Sequence, residues 1–242
     1  MKSGIYVVAT PIGNLNDISS RALEVLQNAD VIACEDTRVT KKLFSLLGLG
    51  LKKTFVTLHD HNEEEQAQKL IDMVNRGQSI AQVSDAGCPL ISDPGYKLIK
   101  RCREQGVAVT TIPGPCALIC ALQLSGLPTN SFMFAGFIPN KDKARKDLFN
   151  KLKDIDATLV FYETANRIVK TLETAGEVFF LREMAVARGV CQWQCGGIDR
   201  TLFSKRAQRR DGFDDCAADA GRSCGGFGHC RSDSPGVGRK QS

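Results

Sequence analysis

Ser84-Asp85-Ala86-Gly87-Cys88-Pro89-Leu90-Ile91-Ser92-Asp93-Pro94-Gly95 follows directly on the apolar run Ser79–Val83. A short apolar run closed by Gly and Pro reads as a buried strand ending in a stiff loop, in which glycine admits close approach of a ligand and proline restricts the chain. The same grammar stands on both sides of it. Residues 5–9 are followed by Thr10-Pro11-Ile12-Gly13-Asn14, and residues 108–112 by Pro113-Gly114-Pro115-Cys116-Ala117. Further strands are expected at Val31–Cys34 and at residues 55–58, with amphipathic stretches between them. Such alternation builds an α/β unit on a mainly parallel sheet, whose ligands sit at the carboxyl ends of the strands. The three Gly/Pro loops are therefore expected to converge on one sheet edge; taken singly, each also reads as ordinary turn chemistry. No G-x-x-x-x-G-K-[ST] and no G-x-G-x-x-G follows the first strand, which disfavours a P-loop nucleotidase or an ordinary dinucleotide enzyme.

The helices between these strands have recognisable signals. Asp17 reads as the N-cap of a helix with Ile18, Ala22, Val25 and Ala29 on one face. Asn62 with Glu65 reads as a capping box opening a helix with Ala67, Leu70, Ile71 and Val74 inward. A third helix carries Leu98, Ile99 and Cys102, and a fourth runs over residues 116–124. Gly126-Leu127-Pro128-Thr129-Asn130 punctuates the pattern as a linker. The expected domains are thus residues 1–126 and a second α/β domain over 131–188, with strands Phe132–Phe137 and Thr158–Tyr162, a basic helix over 141–153 and a helix over 167–178. This second domain reads as incomplete.

Composition sets the outer bounds. Of 242 residues, 43% are hydrophobic and 24% charged, enough for one large or two small cores, which excludes a wholly disordered chain. No run approaches the roughly 18–20 apolar residues of a membrane span, and Met1-Lys2-Ser3 leads into strand-like residues without a signal-peptide core. A cytoplasmic protein with no membrane partner is expected. The ten cysteines then read as reduced thiols, none in a C-x-x-C pair of the kind zinc uses. A net charge of +5 tolerates a polyanionic partner without demanding one.

From Gly189 the text changes. Residues 189–242 hold 10 of the 22 glycines and no Glu, and their scattered aliphatics draw neither a helical nor a strand period. Such a segment is expected to remain disordered, because little apolar burial offsets its ordering entropy. Three readings stand. It is a Gly/Arg-rich RNA-binding arm, or a Cys/His knuckle using Cys216, Cys224, His229 and Cys230, or the product of a one-nucleotide shift near codon 189. The genetic code favours the last: residues 208–216 can be encoded so that the shifted frame spells Lys-Gly-Glu-Met-Val-Leu-Met-Ile, a regular strand.

Thr10–Asn14 taken with Cys34-Glu35-Asp36-Thr37-Arg38, His59-Asp60-His61-Asn62-Glu63, the 84–95 loop, the 113–117 loop and Phe161-Tyr162-Glu163 resembles the ribosomal RNA small subunit methyltransferase I family, a branch of the tetrapyrrole methylase superfamily. The resemblance covers residues 4–188 and stops where the tail begins. It implies a two-domain α/β methyltransferase that binds S-adenosylmethionine between its domains and methylates a cytidine 2′-hydroxyl in 16S rRNA of the 30S subunit, as a homodimer. Carried onto this sequence, it places Ile12, Gly13, Asp85, Ala86, Gly87, Cys88, Pro115, Cys116 and Ala117 at the cofactor, with Phe161 and Tyr162 as a wall from the second domain. As aromatics on a strand, those two also read as plain core. Thr164-Ala165-Asn166 stands where the family carries a His before the Arg, which leaves that imidazole without a counterpart.

The substrate side would be formed by residues 35–38 and 59–63. Arg38 suits a phosphate, His59 suits an RNA contact, and Asn14, Glu35, Asp36 and His61 are candidates for orienting or deprotonating the hydroxyl. A metal on His59 and His61 is not expected, because an H-x-H pair without a third ligand is a weak site. Lys141, Lys143, Arg145, Lys146, Lys151 and Lys153 form the best candidate for phosphate contact, with Lys143 and Lys146 foremost; a solvated helix face is the competing reading. Two rival functions remain: methylation of a tetrapyrrole ring carbon, and an inactive RNA-binding remnant.

Overall fold

The computed structural model describes residues 1–59 and 61–179, with the backbone of Met184–Val186 and Cys191–Trp193. All of these lie in one compact unit, Met1–Ile198. Strands β1 (Gly4–Val8), β2 (Val31–Cys34), β3 (Thr54–Thr57), β4 (Ser79–Val83) and β5 (Val109–Ile112) form a fully parallel sheet in the order β3-β2-β4-β1-β5. β2 and β4 are buried along their whole length, as expected of largely apolar strands covered on both faces.

The two-residue period of the strands divides the core. Ile5, Val31, Ala33 and Ile80 pack against Ala67, Leu70, Ile71 and Val74 of α3 (Glu63–Asn75) and Leu98 and Cys102 of α4 (Tyr96–Glu104). Val8, Ile32, Cys34, Ala81, Val83 and Ile112 face the other way, onto Ala22, Val25 and Leu26 of α1 (Ser20–Asn28) and Phe44 of α2 (Thr37–Leu46). The crossover from β1 passes over β4 on the α1 face and that from β4 passes over β1 on the α4 face. The carboxyl ends of β4, β1 and β5 are therefore neighbours, as the three loops led one to expect.

After α5 (Ala117–Ser125) the chain enters a second sheet, in which β6 (Phe132–Phe137) and β7 (Thr158–Tyr162) pair in parallel. α6 (Asp142–Leu152) and α7 (Ile168–Val178) cover one face, where their Phe149 and Ala175 pack with Ile138 and Phe179. α5 covers the other through Leu118 and Leu122, which meet Val160.

Several local expectations need correction. α1 is capped by Ser19, whose hydroxyl accepts from Ala22 N–H at 3.1 Å, whereas Asp17 ends a separate 3₁₀ turn over Leu15–Asp17. No capping box forms at α3: Asn62 turns back to accept from His59 N–H and donate to Thr57 O, and Glu65 pairs with Lys69. α2 was not foreseen; Asp36 starts it by accepting from Arg38 N–H at 2.8 Å. Residues 189–242 lie outside the described residues except for the backbone of β9 (Cys191–Trp193). That strand pairs antiparallel with β8 (Met184–Val186), an ordered ladder where no strand period was legible.

Candidate functional site

Hydrogen bonds lace the three loops together. Thr10 and Gly87 exchange backbone bonds of 2.9 and 3.0 Å, a single antiparallel bridge just beyond the ends of parallel β1 and β4. Thr10 Oγ1 donates to Ser84 O at 3.3 Å, and Cys88 Sγ donates to Pro115 O at 3.3 Å. Gly87 stands at φ +85°, and a Cβ there would meet Ile12 Cγ2 at 3.2 Å. Only glycine lets the loops close this tightly.

The 84–95 loop stores strain: Leu90 and Ser92 both adopt positive φ, at 71° and 63°. Side-chain-bearing residues in that region cost about 1 kcal/mol or more each, and such strain gathers at functional sites. The loop's far end is pinned by Gln82, buried within β4, which donates to Pro94 O at 3.1 Å.

Electrostatics sort the carboxylates. Asp36 forms a fork with the Arg38 guanidinium, Nη2 to Oδ2 at 2.7 Å, and with the Arg38 N–H this holds its carboxyl down to about 2. Asp85 moves up, chiefly by burial and further by the Asp36 charge, although Asp36 N–H donates to its Oδ1 and opposes the shift. Burial, with the Cys116 thiol alongside, pushes Cys88 up to about 11, so it lines the site as a neutral thiol. Tyr162 is also raised by burial and by the field of Cys116, Cys88 and Asp93, with the Leu118 N–H that faces its hydroxyl opposing the shift. A strand of the second sheet thus reaches the loops of the first.

The model of the Tetrapyrrole (Corrin/Porphyrin) Methylases matches residues 4–192 of this chain. The chain belongs to that family. It is 52% identical over 185 residues to Ribosomal RNA small subunit methyltransferase I of Vibrio cholerae, covering 76% of this chain and 64% of that protein. Over 206 residues it is 43% identical to the protein of the same name from Rickettsia prowazekii, covering 84% and 73%. The chain spans less than two thirds of the length of the Vibrio cholerae relative. In fold it matches the solved methyltransferase CobJ (15% identity, TM-score 0.58, 80% and 87% of the two chains) and diphthine synthase (19%, 0.55, 75% and 74%).

Within this tetrapyrrole methylase, the expected residues divide. Ile12, Gly87, Cys88, Pro115, Cys116, Asp85, Asp36, Arg38 and Tyr162 are brought together, with the exposed Gly13, Ala86 and Ala117 on the same loops. Asn14 caps the 3₁₀ turn by accepting from Asn16 N–H at 3.1 Å. Glu35 is half-buried at the end of β2. His59 and His61 stack edge to face at 6.1 Å, with His59 Nδ1 buried; Asp60 lies outside the described residues.

The second sheet revises two readings. Phe161 faces α6 and α7, 5.7 Å from Phe149, because neighbours on a strand point to opposite sides; only Tyr162 of the pair turns to the loops. Arg145 is 1% exposed, held by Thr174 and Asp142, and so withdrawn from any phosphate. Lys143 and Lys146 are exposed, Lys146 pairing with Glu177 at 2.7 Å. Among the described residues no cluster of His, Cys, Asp and Glu could hold a metal ion, and no helix is long and apolar enough to cross a membrane.

Two residues of the site were missed. Glu63 was read as a substrate-side residue but is buried, and Gln82 was not singled out at all. Each had a signal: a carboxylate on the apolar stripe of α3 and an amide inside an apolar strand.

Proposed function

We propose that this chain is an S-adenosylmethionine-dependent methyltransferase acting on a cytidine 2′-hydroxyl of 16S rRNA within the 30S subunit, in the cytoplasm and as a homodimer. The observation that carries the reading is the Thr10–Gly87 bridge, which locks the loops of adjacent strands into one rim beside Asp85. The names of the relatives, ribosomal RNA small subunit methyltransferase I, favour rRNA over a tetrapyrrole as acceptor.

The residues fit that cofactor. Gly13 and Ala86 lie exposed on the loops that Gly87 lets close, and Asp85 retains acceptor capacity beyond its one bond from Asp36 N–H, suited to an ammonium group or ribose hydroxyls. Cys116, Pro115, Ile12 and Tyr162 offer uncharged surface for an adenine. When bound, S-adenosylmethionine supplies an electrophilic methyl group. The protein's part is to hold the acceptor hydroxyl in line and to exclude water. Asp36, tied to Arg38 and held near pKa 2, is too weak a base to take the hydroxyl proton and serves to orient Arg38 toward a phosphate. Asn14 is a carboxamide that caps a turn and is no base, so Glu35 or His61 receives the proton in this reading.

The test incubates the chain with methyl-labelled S-adenosylmethionine and either 30S subunits or uroporphyrinogen. Label in 16S rRNA that survives alkali as a cytidine-containing dinucleotide is expected, because 2′-O-methylation blocks cleavage at that sugar. Label on a base or on uroporphyrinogen overturns the reading, and no transfer to either favours the RNA-binding remnant. Sedimentation of the pure chain checks the dimer.

A further inference from the structure

Helix α4 begins at Gly95, a residue with no side chain to cap it and held at φ +130°. Nothing larger fits, since a Cβ there would stand 1.8 Å from Gln82 Nε2. The N–H groups of this first turn still need acceptors. Glu63 supplies one from another helix: its Oε1 accepts from Gly95 N–H at 3.1 Å, Lys97 N–H at 2.6 Å and Leu98 N–H at 3.3 Å. The residue is 4% exposed. A carboxylate is tolerated there because three donors and the positive end of α4 replace its water.

Glu63 is also the first residue of α3, immediately after the turn that carries His59 and His61. That turn is fixed to the helix by Asn62, which accepts from His59 N–H at 2.9 Å and donates to Thr57 O at 3.1 Å. On the other side, Gly95 closes the 84–95 loop, and Pro94 O is held by Gln82. One side chain thus spans from the end of the histidine turn to the end of the strained loop.

We propose that Glu63 is a positioning residue that fastens the acceptor-side turn of His59, His61 and Asn62 to the cofactor loop, residues 84–95, so that the two move as one piece. This deepens the functional reading above and rests on it for the identity of the ligands. A rearrangement on one side is transmitted to the other through the Glu63 carboxylate, and a binding site built on strained backbone keeps its shape only while that strut is in place.

The experiment compares Glu63→Ala, Glu63→Asp and Glu63→Gln with the full chain and with Val74→Ala, which weakens the same helix without touching the loop. Two quantities are read: amide hydrogen exchange over residues 84–98, and calorimetric affinity for S-adenosylmethionine. Ala and Asp, which cannot reach the α4 amides, are expected to speed exchange there and weaken binding about tenfold, within the usual range for coupled sites. Gln keeps an acceptor of the same reach and should stay within about threefold of the parent. Val74→Ala should lower the melting temperature and leave both readings in place. Undisturbed exchange or affinity in folded Glu63→Ala overturns the proposal, as does Val74→Ala moving both equally. Should Glu63→Ala fail to fold, Glu63→Asp decides on the same criteria. If the parent chain binds no S-adenosylmethionine, the functional reading falls, and the exchange comparison still decides the role of Glu63.

Discussion

Asp36 N–H donates to Asp85 Oδ1 at 3.2 Å across the ends of paired strands β2 and β4, and the two carboxyls are driven apart: Asp36 down to about 2, Asp85 up. The Asp36 charge adds to burial in raising Asp85, which the Arg38 charge opposes only from a distance, whereas Asp36 is bonded directly to the Arg38 guanidinium and N–H. Asp36 therefore adds stability above the ordinary carboxylate value of about 3.9, lost as pH falls through about 2. Asp85 works in the opposite sense. Its raised folded pKa makes its charge a cost that appears as pH rises through that value.

The first prediction follows from that cost. Asp85 ionised is the form that can pair with an ammonium group, so S-adenosylmethionine affinity should fall on acidification, with a midpoint above that of a free aspartate. Asp85→Asn should flatten this dependence and slightly stabilise the ligand-free chain at neutral pH. Asp85→Ala should cost about 1.5–3 kcal/mol of binding, the range for a charge-assisted hydrogen bond. Calorimetry from pH 4.5 to 8 checks all three, and a parent chain with pH-independent affinity counts against the assignment.

Gly95 gives the second. Alanine there meets both a positive φ and the buried Gln82 amide, so Gly95→Ala should destabilise by about 2 kcal/mol or more. Adding Gln82→Ala removes the clash but not the backbone strain, so the double variant should recover part of the loss. A denaturant double-mutant cycle measures the coupling. Strict additivity would mean that the two residues do not meet.

Much of this fold was legible because a few signals repeat. Val31–Cys34 is apolar throughout and Ser79–Val83 apolar but for Ser79 and Gln82, and both fall where the strands lie, because a parallel strand buried on two faces has no solvent-facing polar side to confuse the reading. Helix α2 escaped notice: Thr37–Leu46 buries only Thr40 and Phe44, leaving too few apolar positions to draw a stripe. The site was legible at its loops and not at its supports. Gly and Pro announce a loop in the chain itself, whereas the roles of Glu63 and Gln82 exist only in the partners they reach, Gly95 and Pro94, distant in sequence. Arg145 misled for the same reason, since a basic residue on a basic helix shows nothing of the Thr174 hydroxyl that draws it inward.

That contrast supplies the third prediction. Charge reversal at exposed Lys143 and Lys146 should weaken 30S binding and reduce the steepness of its salt dependence by about 1–2 in slope, with the melting temperature little changed. Arg145→Ala should do the reverse, costing about 3 kcal/mol of stability by emptying a buried position and breaking the bonds to Thr174 and Asp142, while leaving the salt slope of the folded fraction intact. Filter binding across a salt series, paired with thermal melts, separates the two. If the lysine reversals leave the slope unaltered, α6 belongs to bulk solvent.

The last prediction concerns Tyr162, the side chain by which the second sheet meets the loops of the first. Its ring stacks edge to face on Phe134 at 4.8 Å and Phe137 at 5.5 Å, and its hydroxyl faces the Leu118 N–H in the first turn of α5. Tyr162→Phe keeps both ring contacts and removes only the oxygen. The Leu118 amide then loses the oxygen it faces at a buried position, a cost of about 1–2 kcal/mol. Because that amide lies just after Cys116 and Ala117, the loss should appear as faster exchange at the start of α5 and as weaker S-adenosylmethionine binding, with β1 and β4 unaffected. Tyr162→Ala removes the ring as well and should cost about 3–5 kcal/mol, enough to loosen the β6–β7 sheet itself. Exchange mass spectrometry resolves the two segments in one experiment. Were Tyr162→Phe to leave α5 protected and binding unchanged, the hydroxyl would be a bystander and only the aromatic packing would join β7 to the cofactor loops.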